Sequence, residues 1–132
     1  MDKLPIVRDH MDTEVYSVRP ETEILDAVGF LLEHRVTGAP VVDEAGHLVG
    51  MLSEKDCLQL VATGANSNRP RGTVADFMST ALTTISPDTD VYYAAGLFLN
   101  SVFRRLPVVE GGKLVGAITR FDLLREIHAK LR

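Results

Sequence analysis

A hydroxyl followed three residues later by a carboxylate occurs twice at the end of an apolar, glycine-marked stretch. The two segments are Gly50-Met51-Leu52-Ser53-Glu54-Lys55-Asp56 and Gly116-Ala117-Ile118-Thr119-Arg120-Phe121-Asp122. Where an extended stretch turns into a helix, the new helix presents free backbone N–H groups and the positive end of its dipole, and both favour an anion such as phosphate. The Ser53 or Thr119 hydroxyl can donate to a phosphate oxygen. An ionised Asp56 or Asp122 only accepts hydrogen bonds, which suits a ribose diol. The same spacing is also that of a capping box, in which hydroxyl and carboxylate merely satisfy the helix's own amides. Both readings stand at this point.

The chain supplies little other reactive chemistry. His10, His34, His47 and His128 are scattered without ligand-like spacing, so a metal site is not expected. Cys57 follows Asp56 and reads as a small buried hydrophobe. There is no GxxxxGK phosphate loop and no nucleophile–base pair in recognisable spacing. Asp56 and Asp122 would be the only acid/base candidates of a nucleotide hydrolase, so an enzyme is not expected.

The elements that must position these motifs come in two copies. Residues 7–43 set over 74–110, an offset of 67, give 12 identities in 37 pairs, and residues 46–58 over 112–124 give 6 in 13. Self-similarity on this scale marks a duplicated supersecondary unit. Each copy opens with a short helical lead-in (7–11 and 74–78) and an extended apolar stretch (15–18 and 82–85) ended by Pro20 or Pro87. A helix follows, with Ile24, Ala27, Val28, Leu31 and Leu32 on one face and Val91, Ala94, Ala95, Phe98 and Leu99 matching them. Thr22 and Thr89 stand where a hydroxyl can cap that helix. Gly29 and Gly96 inside it read as points of close approach. A strand–turn–strand comes next, with Gly111-Gly112 a strong hairpin signal in the second copy. A second helix, 54–63 or 120–130, closes each copy, and Gly64 is placed to end the first of these. The order β-α-β-β-α twice gives a mixed α/β fold. The expected layout is residues 1–64 as repeat 1, the polar segment 65–73 as linker and 74–132 as repeat 2. Each three-stranded sheet would be covered by helices on one face.

At 132 residues the two copies of about 55 residues are expected to share one core. The net charge of −4 argues against bulk nucleic-acid binding or an anionic membrane surface. One cysteine and no long apolar run fit a reducing, cytoplasmic setting. The copies differ just before the Pro-Val-Val strand, with Thr37-Gly38-Ala39 in one and Arg104-Arg105-Leu106 in the other. Two guanidiniums beside a helix start favour a polyphosphate; alternatively they form a solvated surface pair.

The segments "HRVTGAPVVDEAGHLVGMLSEKD" and "FRRLPVVEGGKLVGAITRFD", with the lead-ins "VRDHM" and "VADFM", resemble the CBS domain, the small regulatory module named from cystathionine beta-synthase. The resemblance covers roughly residues 7–128. It implies a tandem pair packed through its sheets with pseudo-twofold symmetry, and two clefts that take adenine nucleotides. By that resemblance one cleft would use Thr119, Asp122 and Ile118 with Val36, Thr37 and Gly38. The mirror cleft would use Ser53 and Asp56 with Phe103 and Arg104, while Thr22 and Thr89 are secondary candidates at the edges. Arg104 and Arg105 should make the second motif the tighter phosphate site.

The expected function is a non-catalytic regulatory module that binds AMP, ADP or ATP, with S-adenosylmethionine or NAD as further possibilities and no required cofactor. Binding would change its conformation or its affinity for a separate effector protein. The chain is expected to form a homodimer through its helices. A ligand-free dimerisation scaffold with vestigial clefts is the competing reading.

Overall fold

The computed structural model describes residues 4–63, 71–100 and 104–131. Gly64, most of the 65–73 linker and Phe103 lie outside the described residues. The chain divides into two compact units, one spanning Tyr16–Leu82 and the other joining the residues up to Val15 to those from Thr83 on.

The Tyr16–Leu82 unit runs α1 (Ile24–His34), β1 (Gly38–Val42), β2 (Leu48–Ser53), α2 (Glu54–Thr63) and α3 (Val74–Phe77). The apolar spacing of α1 explains its packing: Ile24, Ala27 and Leu31 are buried among Val41, Leu52, Leu60 and Val74. Arg35, in the left-handed conformation at φ 54°, ends the helix and donates its N–H to the carbonyls of the last turn. β1 and β2 pair antiparallel, with Gly38 opposite Ser53 and a bulge between Val41 and Val42.

The other unit opens on a 3-10 turn at Val7–Asp9 and continues with α4 (Val91–Leu99), β3 (Arg105–Glu110), β4 (Lys113–Thr119) and α5 (Arg120–Leu131). Its core joins Val7, Ile85, Val91, Phe98, Leu106, Ile118 and Leu123. β3 and β4 pair antiparallel, with Arg105 opposite Thr119 and the bulge repeated between Val108 and Val109. Gly111 and Gly112 take positive φ at 59° and 82°, as the tight hairpin requires.

The expected third strand of each sheet shrinks to one residue. Val18 makes a parallel bridge to Val41, and Ile85 makes one to Val108. Pro20 and Pro87 follow two residues later and have no N–H with which to extend a ladder.

The compact units cut across the sequence repeats. Val7 and Arg8, from the opening of the chain, donate backbone N–H bonds to Thr89 and Pro87 at 2.8 and 2.9 Å. Val74 and Ala75 do the same to Thr22 and Pro20. Each lead-in therefore completes the unit that holds the other copy's hairpin. Thr22 and Thr89 act through these carbonyls, and their hydroxyls are not the helix caps expected of them. α1 has no side-chain cap, and its first amide donates to the Gly72 carbonyl at 3.0 Å. α4 is capped by Asp90, which accepts from Tyr93 N at 2.9 Å.

The expected glycine contacts lie elsewhere. A methyl group on Gly29 or Gly96 would meet nothing within 4 Å. On Gly50 it would come within 2.5 Å of the Met78 sulfur, and on Gly116 within 2.7 Å of the Asp12 carbonyl oxygen. These are the true close approaches, where each lead-in crosses β2 or β4. Backbone pairs Met51–Ser79 and Asp12–Ala117, all at 2.8–2.9 Å, fix the crossings.

Leu32 and Leu99, expected on buried faces, are 74% and 87% exposed. The buried stripe is narrower than the apolar stripe. It leaves Leu25, Leu32, Leu58 and Val61 exposed on α1 and α2, and Tyr92, Tyr93, Leu99, Phe121, Leu124 and Leu131 exposed on α4 and α5.

Candidate functional site

Each hydroxyl–carboxylate motif sits where a hairpin's second strand becomes a helix: Ser53 ends β2 before α2, and Thr119 ends β4 before α5. The capping box is formed in both. Asp56 Oδ2 accepts from Ser53 N and Oγ, each at 2.9 Å, while Asp56 N donates to Ser53 Oγ at 3.1 Å. Asp122 Oδ2 accepts from Thr119 N at 2.8 Å and from Thr119 Oγ1 at 2.9 Å, and Asp122 N donates to Oγ1 at 3.2 Å.

The residue before each first strand closes a further amide. Glu54 N donates to the Thr37 carbonyl at 2.8 Å, and Arg120 N to the Arg104 carbonyl at 3.4 Å. The cap and this bond satisfy the first and third amides of each helix. Among the hydrogen bonds of the described residues, the second amide, Lys55 N or Phe121 N, has no protein acceptor. One outward amide per helix start, beside a hydroxyl and at the positive end of the dipole, is what each junction offers an anion.

Backbone pairing within a unit brings Thr37 and Gly38 beside Ser53, and Arg104 and Arg105 beside Thr119 and Arg120. The basic pair thus stands at the second motif's own junction. Val36 and Gly38 are half-buried and Thr37 is exposed. Ile118 is fully buried in the core between α4 and β3, which leaves none of its side chain to flank a base. Thr22 and Thr89 are half-buried under the lead-ins.

The two carboxylates differ. Asp122 is only 8% exposed, and its second oxygen, Oδ1, is bound by Arg125, one turn further along α5. Asp56 is half-buried, and Gln59 occupies the position matching Arg125. The sequence reading missed Arg125, although its i, i+3 spacing from Asp122 was a readable signal. Cys57, next to Asp56, has its thiol pKa pushed above the usual range by burial and by the neighbouring carboxylate. Among the described residues no group of three or more His, Cys, Asp or Glu side chains is placed to hold a metal ion. No described helix is long and apolar enough to cross a membrane.

Duplicated hairpin–helix units with a hydroxyl–carboxylate pair at each junction define a tandem two-repeat module. The family description "CBS domain" matches residues 7–63 and 74–129, and the chain belongs to the CBS-domain family. It is similar to the CBS domain-containing protein YhcV of Bacillus subtilis, with 36% identity over 118 residues covering 89% of this chain and 81% of that protein. It is 33% identical over 125 residues to the A-adding tRNA nucleotidyltransferase of Aquifex aeolicus, covering 95% of this chain but only 15% of that enzyme. The chain spans 58% of the chloroplastic CBSX1 of Arabidopsis thaliana, a further relative. Among solved structures, CBSX2 in complex with AMP superposes with a TM-score of 0.82 at 34% identity, covering 97% of this chain and 99% of that one. The CBS pair of MJ0100, in complex with 5′-methylthioadenosine and S-adenosyl-L-methionine, gives 0.74 at 25%, again covering 97% and 99%.

Proposed function

We propose that the chain is a non-catalytic regulatory module that takes an adenine nucleotide or related adenosyl ligand at its strand-to-helix junctions and signals by changing conformation or partner affinity. The observation that carries this reading is the unaccepted second amide of each helix, Lys55 N and Phe121 N, beside a hydroxyl and a carboxylate. Phosphate meets the amide and the Ser53 or Thr119 hydroxyl; ribose meets Asp56 or Asp122. The AMP complex of CBSX2 and the adenosyl complexes of MJ0100 support the ligand class. AMP, ADP and ATP are the leading ligands, with S-adenosylmethionine and NAD next. The module acts as a homodimer on a separate effector.

A thermal-shift series with these five compounds tests the reading. A ligand at about 100 times its dissociation constant stabilises the folded state by about 2.7 kcal/mol. Absence of any shift would favour the second reading, a ligand-free dimerisation scaffold. That reading draws on the completed capping boxes, which already occupy Oδ2 of both aspartates and both hydroxyls.

A further inference from the structure

We propose that Arg125 is a latch on the second junction and makes it selective for phosphorylated ligands over neutral nucleosides; this rests on the nucleotide reading above. Three observations carry it. Asp122 has one oxygen committed to the cap and the other bound by Arg125, so both oxygens already have donors before any ligand arrives. Asp122 is nearly buried, whereas the Arg125 side chain that binds it is 69% exposed. The matching position after Asp56 is the neutral Gln59, so the first copy of the motif has no such cation.

A ligand that hydrogen-bonds Asp122 through its ribose competes with the guanidinium for Oδ1. The ribose hydroxyl replaces the donor on Asp122, but a neutral nucleoside offers the displaced guanidinium no anion. A phosphate on the same ligand supplies one. Phe121 and Arg125 are four residues apart on α5, so a phosphate at the Phe121 amide lies on the helix face from which the released arm extends. Arg125 then exchanges a carboxylate for a phosphate and keeps an anionic partner. The latch penalises adenosine and is neutral toward AMP. Arg104 and Arg105, at the same junction, add attraction for the anion but do not touch Asp122 and impose no penalty on the nucleoside.

The test is calorimetry with AMP and with adenosine on the full chain and on Arg125→Gln, which installs the first copy's residue. The amide resonance of Thr119 reports occupancy of this junction. Glutamine is a good helix former at this exposed position of α5, so the variant retains the fold. The wild type should prefer AMP over adenosine at this junction, and Arg125→Gln should shrink that preference by about tenfold, chiefly because adenosine binds more tightly. An unchanged AMP-to-adenosine ratio, or equal losses for both ligands, would overturn the latch while leaving the nucleotide reading intact. A wild type in which neither compound moves the Thr119 resonance would overturn both at this junction.

Discussion

Met11 occupies the space that a side chain on Gly116 would need: a methyl group there would sit 2.8 Å from the Met11 sulfur. Met78 stands in the same relation to Gly50. The "LVG" of each hairpin is therefore the floor on which a lead-in lies.

Gly50→Ala and Gly116→Ala should each destabilise by about 1–3 kcal/mol, the usual range for overpacking, because backbone as well as methionine must move. Gly29→Ala and Gly96→Ala, in open space within helices, should instead stabilise by about 0.5–1 kcal/mol. Urea unfolding midpoints of the four variants decide it. Loss of stability in all four would show that the helical glycines are close-approach points after all.

Asp56→Ala and Asp122→Ala should each lower stability by about 1 kcal/mol through loss of the cap. Binding separates the two further. With Arg104 and Arg105 at its junction, the second motif should hold the tighter site, so Asp122→Ala should weaken AMP by about tenfold or more. Asp56→Ala should leave the tighter event nearly intact, and Arg105→Ala should weaken ATP more than adenosine. Calorimetry distinguishes this from two equivalent junctions, which would give equal losses for the two aspartates.

The Cys57 thiol should alkylate more slowly in the folded than in the urea-unfolded chain between pH 8 and 9, with its inflection above the ordinary value of about 8.5. The folded pKa is raised, so the stability this group contributes is complete below the unfolded pKa and is lost as pH rises through the folded one. Cys57→Ala should flatten that alkaline decline. An alkylation profile identical in both states would remove burial as the cause.

The chain should be a homodimer in solution. Leu25, Leu32, Leu58 and Val61 in one unit and Tyr92, Leu99, Phe121 and Leu124 in the other leave apolar helix surface exposed on both. Light scattering at tens of micromolar should give twice the chain mass. Leu32→Glu together with Leu99→Glu should halve it; a monomeric wild type would reject the dimer.

The hairpins and helices were legible in the sequence because their period and turn residues act locally: Ile24, Ala27 and Leu31 are buried as spaced, and Gly111-Gly112 turns as expected. The hydroxyl–carboxylate junctions were equally legible, since a three-residue spacing at a strand end admits few geometries. Pairing across distance was not. Thr22 and Thr89 look like caps until the lead-ins arrive on their carbonyls. Leu32 and Leu99 fit the apolar stripe, but one stripe cannot report how much of itself a unit covers. Ile118 counts among the ligand-binding residues by resemblance, whereas its side chain is fully buried in a core cluster that takes residues from across the unit.

The exchange of lead-ins also dictates an order of events at the ribosome. Tyr16–Leu82 is continuous in sequence and can fold once the "VADFM" segment has emerged. The other unit must hold residues 5–8 in reserve until residues 87–91 are made, and Asp12 until β4 is made, closing a span of about a hundred residues between Asp12 and Ala117. While residues 13–86 are being made, residues 5–12 have none of their distant backbone partners in this unit. Residues 87–91 and Ala117 are the ones that fix residues 5–12, made far earlier.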